Sequence, residues 1–233
     1  MNIALFGYGK MGKMIEQIAL ERNHQIVAKV DLDTPEIDFS IIDVAIDFSM
    51  PSAAYGNIRM CMEHGIPVIC GTTGWLKDYD NAVKLCKEKK GAFIYASNFS
   101  LGVNLFFELN SYLAKMMGNL KQYKVDIEEI HHTQKLDAPS GTAISLAEGI
   151  IRETDYTDWK LDTAGDGEIP ITAKRIDNTP GTHTVSYTSR IDNVEIVHTA
   201  HNREGFALGA VVAAEWISGK TGVFTMKDVL NLS

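Results

Sequence analysis

The residues best suited to chemistry lie together in one segment, Glu129-Ile130-His131-His132-Thr133-Gln134-Lys135-Leu136-Asp137-Ala138-Pro139-Ser140-Gly141-Thr142-Ala143. The stretch from Tyr123 to His132 alternates with a period near two. It therefore reads as a strand whose end turns His131 and His132 to opposite sides. Lys135 follows in a loop. Ser140, Gly141 and Thr142 open a helix, where backbone N–H groups and hydroxyls form a site for an anion such as a carboxylate. Lys135 adds a positive charge there, and Arg203 offers a second from elsewhere in the chain. Hydride transfer to a C=N system builds negative charge that a proton must quench. A positioned His or Lys supplies that proton, an effect of about 10²–10⁴-fold. The expected catalytic residues are thus His131 and Lys135, and the expected substrate-binding residues His132, Lys135, Ser140, Gly141, Thr142 and Arg203.

Other readings of these residues carry less weight. Paired histidines can ligate a metal, but no Cys or carboxylate at ligand spacing joins them, so no metal site is expected. One of the two histidines is structural on either reading. Ser-Gly-Thr taken alone is more often a plain helix cap. Ser140 as a nucleophile is disfavoured, because G-x-S-x-G is absent. His183, His198 and His201 are expected to decorate strands, and Cys70 and Cys86 to pack.

A second constellation stands near the start. Gly7-Tyr8-Gly9-Lys10-Met11-Gly12 is G-x-G-x-x-G, a weak pattern alone. Here it follows an apolar strand and opens an amphipathic helix, the context in which such a loop cradles a dinucleotide pyrophosphate. Asp31 lies 19 residues beyond Gly12, where an acid accepts from the adenosine ribose hydroxyls and repels a 2′-phosphate. Leu32 rather than an arginine follows it, so NADH is preferred. Lys10 and Lys13 leave NADPH as an alternative. Phe48, the loop Gly71-Thr72-Thr73-Gly74 and the run Ala96-Ser97-Asn98-Phe99 close the third, fourth and fifth strands. In an open parallel sheet that edge receives ligands, so Phe48, Gly71, Thr72, Thr73, Ala96, Ser97, Asn98 and Phe99 join the expected cofactor site.

These positions imply the elements that hold them. Strands are expected at Ile3–Phe6, Gln25–Val30, Val44–Phe48, Pro67–Cys70 and Ala92–Ala96, with helices between, which is the pattern of βαβ units and a parallel sheet. After Asn98 the rhythm changes. A helix over Val103–Met117, a helix over Ser140–Arg152 and strands at Ile169–Arg175, Thr182–Arg190 and Val194–His201 indicate an α+β region. Residues 155–168 read as a surface loop, and Asp192-Asn193 as a hairpin turn. Helices near Ala207–Ile217 and Lys227–Leu230 end the chain. The fold class is α/β: a Rossmann-type domain, residues 1–98 with 203–233, plus a smaller α+β substrate-binding and oligomerisation domain, residues 99–202.

Composition sets the outer bounds. With 233 residues, 45% hydrophobic and 22% charged, the chain has ordinary globular values. A net charge of −8 and no dense Lys/Arg run argue against a nucleic-acid partner. Three scattered cysteines suit a reducing compartment, and no apolar run reaches the roughly 20 residues a membrane helix needs. The opening residues lack the basic region of a signal peptide, so the cytoplasm is expected.

On the motifs Gly7 to Lys13, Gly71-Thr72-Thr73-Gly74, Ser97-Asn98-Phe99-Ser100 and above all Glu129 through Lys135 to Ala143, the sequence resembles the dihydrodipicolinate (4-hydroxy-tetrahydrodipicolinate) reductases over nearly its whole length. The resemblance implies NAD(P)H-dependent reduction of a cyclic dicarboxylic imine in diaminopimelate/lysine biosynthesis. Water would be lost and hydride delivered to ring C4. It implies His131 as general acid/base, Lys135 as a second proton donor and substrate contact, and His132, Gly141 and Thr142 as substrate-binding. It further implies a homotetramer associating through the second domain's sheet, with the segment after about Asn202 completing the first domain. Lys10 and Lys13 stand where the family often carries arginines, and Met50 where an arginine is sometimes found; these departures weaken the case for NADPH. Alternatives are another NAD-dependent dehydrogenase of amino-acid metabolism, a non-catalytic NAD sensor, and an inactive reductase kept for its oligomer surface. The string from His131 to Thr142 speaks against the first.

Overall fold

The computed structural model describes residues 1–31 and 37–232, so Leu32 lies outside the described residues. In chain order the elements are β1 (Asn2–Phe6), α1 (Lys10–Glu21), β2 (Gln25–Val30), β3 (Val44–Asp47), α2 (Pro51–Glu63), β4 (Val68–Cys70), α3 (Tyr79–Lys89) and β5 (Ala92–Tyr95). Then follow α4 (Leu101–Met117), β6 (Lys124–His131), α5 (Gly141–Glu153), β7 (Asp158–Leu161), β8 (Glu168–Arg175), β9 (Gly181–Thr188) and β10 (Asn193–Ala200). The last are α6 (Glu204–Ile217), β11 (Gly222–Phe224) and α7 (Met226–Leu230). The chain divides into two compact units, Met1–Leu101 with Glu204–Ser233, and Gly102–Arg203.

The first unit is a doubly wound α/β body. Its six strands run parallel in the order β11-β5-β4-β3-β1-β2, so the order reverses beside β1. The short apolar strands make this possible because both of their faces are covered. Along β1, Ile3 and Leu5 turn to one core, shared with α1 and α6, while Ala4 and Phe6 turn to the other, shared with α2 and α3. The three-residue β11 pairs with β5 at the sheet edge. Its sequence, Gly-Val-Phe, is too short to announce a strand.

The second unit carries a five-stranded mixed sheet in the order β10-β9-β6-β8-β7. β9 is antiparallel to both neighbours, while β6, β8 and β7 run parallel. One face packs on α4 and α5 through Phe106, Leu113, Leu146 and Ile150 against Ile127, Ile171 and Val185. The period of two in β6 is real: Val125, Ile127, Glu129 and His131 all fall on its buried face. Residues 155–168, expected as loop, contain β7. Asp-Trp-Lys-Leu is mostly exposed, so it shows neither alternation nor an apolar run, and parallel pairing with β8 makes it a strand. The β9–β10 turn lies one residue early of the expected place. Ser189 N–H bonds Asp192 O, and Asn193 already begins β10. Among the described residues no helix is long and apolar enough to cross a membrane.

Candidate active site

In the first unit, the β1–α1 turn has the shape a pyrophosphate requires. Gly7 has φ +87°, and a Cβ there would stand 2.3 Å from Phe48 O; one at Gly12 would stand 2.4 Å from Gly7 O. Turn and helix therefore close on each other only because both side chains are missing. Gly9, by contrast, has open space where a Cβ would be, and caps α1 with no side-chain bond and no acid in the first turn. The N–H groups and positive dipole end of α1 are thus presented to an anion. Lys10 is exposed and Met11 half-buried. Tyr8 is more constrained than the motif suggests: its hydroxyl bonds Glu16 and accepts from Lys29 at 3.0 Å. Asp31 stands exposed immediately after β2.

The loops after β3 and β4 are tied by an acid that the sequence reading did not single out. Asp47, fully buried, accepts from Thr72 Oγ1 at 2.6 Å, Ser49 Oγ at 2.7 Å and Asn57 Nδ2 at 2.8 Å. Ser49 N–H in turn donates to Thr72 Oγ1 at 2.9 Å. Burial pushes the Asp47 carboxyl up, against the lowering effect of these bonds. Phe48 lies directly against Gly71, whose missing Cβ would fall 2.2 Å from the ring, and its ring centroid is 5.9 Å from that of Phe99. Thr73 and Ser97 are exposed, Ala96 N–H bonds Cys70 O, and Asn98 Oδ1 accepts from Ser100 N–H at 2.9 Å. The structure therefore gathers the Phe48, Gly71-Thr72-Thr73 and Ala96–Phe99 segments at the ends of β3, β4 and β5.

In the second unit, β6 delivers His131 onto the buried face two residues after Glu129, and the two side chains bond through His131 Nδ1 and a Glu129 oxygen. The other Glu129 oxygen accepts from Arg175 at 3.0 Å. Burial alone would raise the Glu129 carboxyl; the bond and charge of His131, then those of Arg175, hold it below the usual range. His183, expected to decorate its strand, is instead buried on β9, its ring centroid 5.1 Å from that of His131. Burial, and after it the charge of His131, pushes its pKa down to about 3. His183 Nε2 and Ser140 Oγ share a hydrogen bond of 2.9 Å, while Ser140 Oγ caps α5 by accepting Ala143 N–H at 3.2 Å. Ser140 is thus buried and bound on both sides, whereas Gly141 is exposed and Thr142 half-buried at the open N-terminus of α5.

Lys135 is half-buried, and its ammonium holds both oxygens of Asp137, at 2.8 and 2.7 Å. His132 turns away from His131. Together with exposed Arg203 it lines a pocket of about 410 Å³ that also takes in Thr133, Asp177 and His201. Its buried Nδ1 has no partner among the described residues. Glu129, His131 and His183 offer three metal-capable atoms within 4.8 Å of one another. Their chemistry is that of a hydrogen-bonded network: the guanidinium on Glu129 repels a cation, and Ser140 occupies His183 Nε2. The spacing His131-to-Lys135 was legible in the sequence. Glu129 was visible only as the same-face neighbour of His131, and Arg175 and His183 carried no local signal.

Profiles of two families match the chain: one described as dihydrodipicolinate reductase, N-terminus, over residues 1–99, and one described as dihydrodipicolinate reductase, C-terminus, over residues 102–230. The chain belongs to the dihydrodipicolinate reductase family. It is accordingly an NAD(P)H-dependent oxidoreductase with a dinucleotide-binding Rossmann-like sheet. A 4-hydroxy-tetrahydrodipicolinate reductase of Christiangramia forsetii is 62% identical over 99% of this chain and 98% of its own. One from Alkaliphilus metalliredigens is 36% identical over 100% of both chains. Among solved structures, the dipicolinate-bound dihydrodipicolinate reductase of Paenisporosarcina sp. TG-14 shares the fold. It matches with a TM-score of 0.84 at 21% identity, covering 100% of this chain and 99% of that one. A diaminopimelate dehydrogenase of C. glutamicum is more distant, with a TM-score of 0.53 at 15% identity over 100% and 94% of the two chains. This family places a reductase on the two-unit fold and speaks against the reading as a non-catalytic NAD sensor.

Proposed function

We propose that the chain reduces 4-hydroxy-tetrahydrodipicolinate, a cyclic dicarboxylic imine, to tetrahydrodipicolinate in diaminopimelate/lysine biosynthesis. His131 and Lys135 are its proton-handling groups. The observation that carries this reading is the convergence, within one segment of the second unit, of an imidazole held by a buried carboxylate, an ammonium, and the open N-terminus of a helix. The bound nicotinamide supplies the hydride. The chain's own groups supply the proton and hold the carboxylates, and the 4-hydroxyl leaves as water. Gly141 and Thr142 N–H groups, His132 and Arg203 bind the anion, and Lys135 exchanges Asp137 for a substrate carboxylate. Ser140 acts through its cap rather than as a free ligand. Residues 1–98 with 203–233 form the dinucleotide-binding domain, and 99–202 the substrate-binding domain.

NADH is the preferred cofactor, because the carboxylate of Asp31 favours ribose hydroxyls over a 2′-phosphate. The enzyme works in the cytoplasm, in keeping with three buried, unpaired cysteines. It assembles as a homotetramer through the sheet of the second unit, where β10 leaves Val197 exposed on the face away from α4 and α5. The test generates the imine in place from pyruvate and aspartate semialdehyde with a condensing enzyme. It follows the loss of reduced nicotinamide absorbance with NADH and NADPH in parallel. Rapid enzyme-dependent oxidation, faster with NADH, is expected. No oxidation by a folded, NADH-binding protein would refute the substrate, and faster oxidation of NADPH would refute the role of Asp31.

A further inference from the structure

We infer that Arg175 and Glu129 are positioning residues that fix the His131 imidazole and the Lys135 loop as one unit. This rests on the reading of His131 and Lys135 as the proton-handling groups. The period of β6 puts Glu129 and His131 on one face, and strand pairing sets Arg175 of β8 opposite His131. Both oxygens of the fully buried Glu129 are used, one by His131 Nδ1 and one by Arg175 Nη1. A carboxylate is an acceptor only, so His131 Nδ1 carries its proton as the donor. Nε2 is left as the nitrogen with which the ring does chemistry. Nε2 lies against Gly181, where a Cβ would stand 3.0 Å away, so that side of the ring is kept clear by the lack of a side chain.

The guanidinium also reaches the other group. Arg175 Nη2 donates to Asp137 O at 2.7 Å and Nε to Lys135 O at 3.4 Å. One planar fork therefore joins the carboxylate that orients His131 to the backbone that carries Lys135. A lysine could keep the charge but not these directions. The arrangement separates orientation, set by Glu129, from register of the loop, set by Arg175.

The experiment uses two variants of the full chain. Glu129→Gln should lower kcat by about 10²-fold with KM for NADH unchanged. Nitrogen-15 NMR of the histidine side chains should show His131 losing its single Nδ1–H tautomer. Arg175→Lys should lower kcat and raise KM for the imine, again with NADH binding unchanged. A folded Glu129→Gln that keeps kcat and the wild-type His131 nitrogen pattern overturns the inference. Should that variant not fold, Arg175→Lys decides alone, and wild-type kcat and KM in it overturn the inference equally. His131→Gln is the separate control: full turnover in it refutes the role of His131, whatever the NMR of the other variants shows.

Discussion

Among the described residues each unit buries one carboxylate completely, and the two are handled in opposite ways. Asp47, at the end of β3, is surrounded by neutral donors: two hydroxyls, an amide and a thiol. Glu129, near the end of β6, is met by an imidazole and a guanidinium. Burial raises Asp47, whereas the cationic partners of Glu129 overcome its burial and lower it. Neutral donors suffice to tie loops together; a group that must stay charged to orient an imidazole needs a cation beside it. One acid braces the loops after β3 and β4, and the other joins His131 and Arg175 in a hydrogen-bonded network.

The difference can be broken most severely at Glu129. Glu129→Ala leaves Arg175 facing a buried void, and should cost about 3–5 kcal/mol in chemical denaturation. Asp47→Asn turns an amide donor toward groups that already donate. It should cost about 1–3 kcal/mol and raise KM for NADH, while KM for the imine stays put. An Asp47→Asn loss as large as that of Glu129→Ala would erase the distinction.

Acid sharpens the comparison. His183 is neutral to about pH 3 when folded, but takes a proton near its ordinary 6.5 when unfolded. The unfolded state therefore binds more protons in that window. Stability falls as pH drops below about 6.5, by at most ~1.4 kcal/mol per pH unit from this group. Glu129, lowered from 4.5, adds a further loss only as pH falls below that value; Asp47, raised from 3.8, is instead relieved on protonation. Urea titrations of wild type and His183→Gln between pH 7 and 5 should diverge, and parallel curves would contradict the buried neutral histidine. The smallest effect is expected for Ser140→Ala, about 1 kcal/mol for the lost cap of α5. Its KM for the imine should rise, because the helix N-terminus frays.

The sequence made the parallel sheet, the glycine turn and the His131–Lys135 segment readable, because each is signalled by spacing within a few residues. β7 and β11 were not, being an exposed edge strand and a three-residue one defined only by their partners. Asp47 was masked by the apolar run Val44-Ala45-Ile46 around it. Arg175 lies 46 positions from Glu129, so their pairing becomes visible only when β6 and β8 lie side by side.

The first unit is discontinuous in the chain, with the second inserted between Leu101 and Glu204. During synthesis the strands bearing Ile3, Leu5, Val44, Ile46, Ile69 and Ile94 leave the ribosome early. α1 is at hand to cover part of that face, but the other covering helix, α6 with Ala207, Ala210, Val211 and Ala214, comes only after all of unit two. The inserted unit has every residue of its core in hand before that helix is translated. The second unit can thus close on its own core while the first still waits for α6 to complete its own.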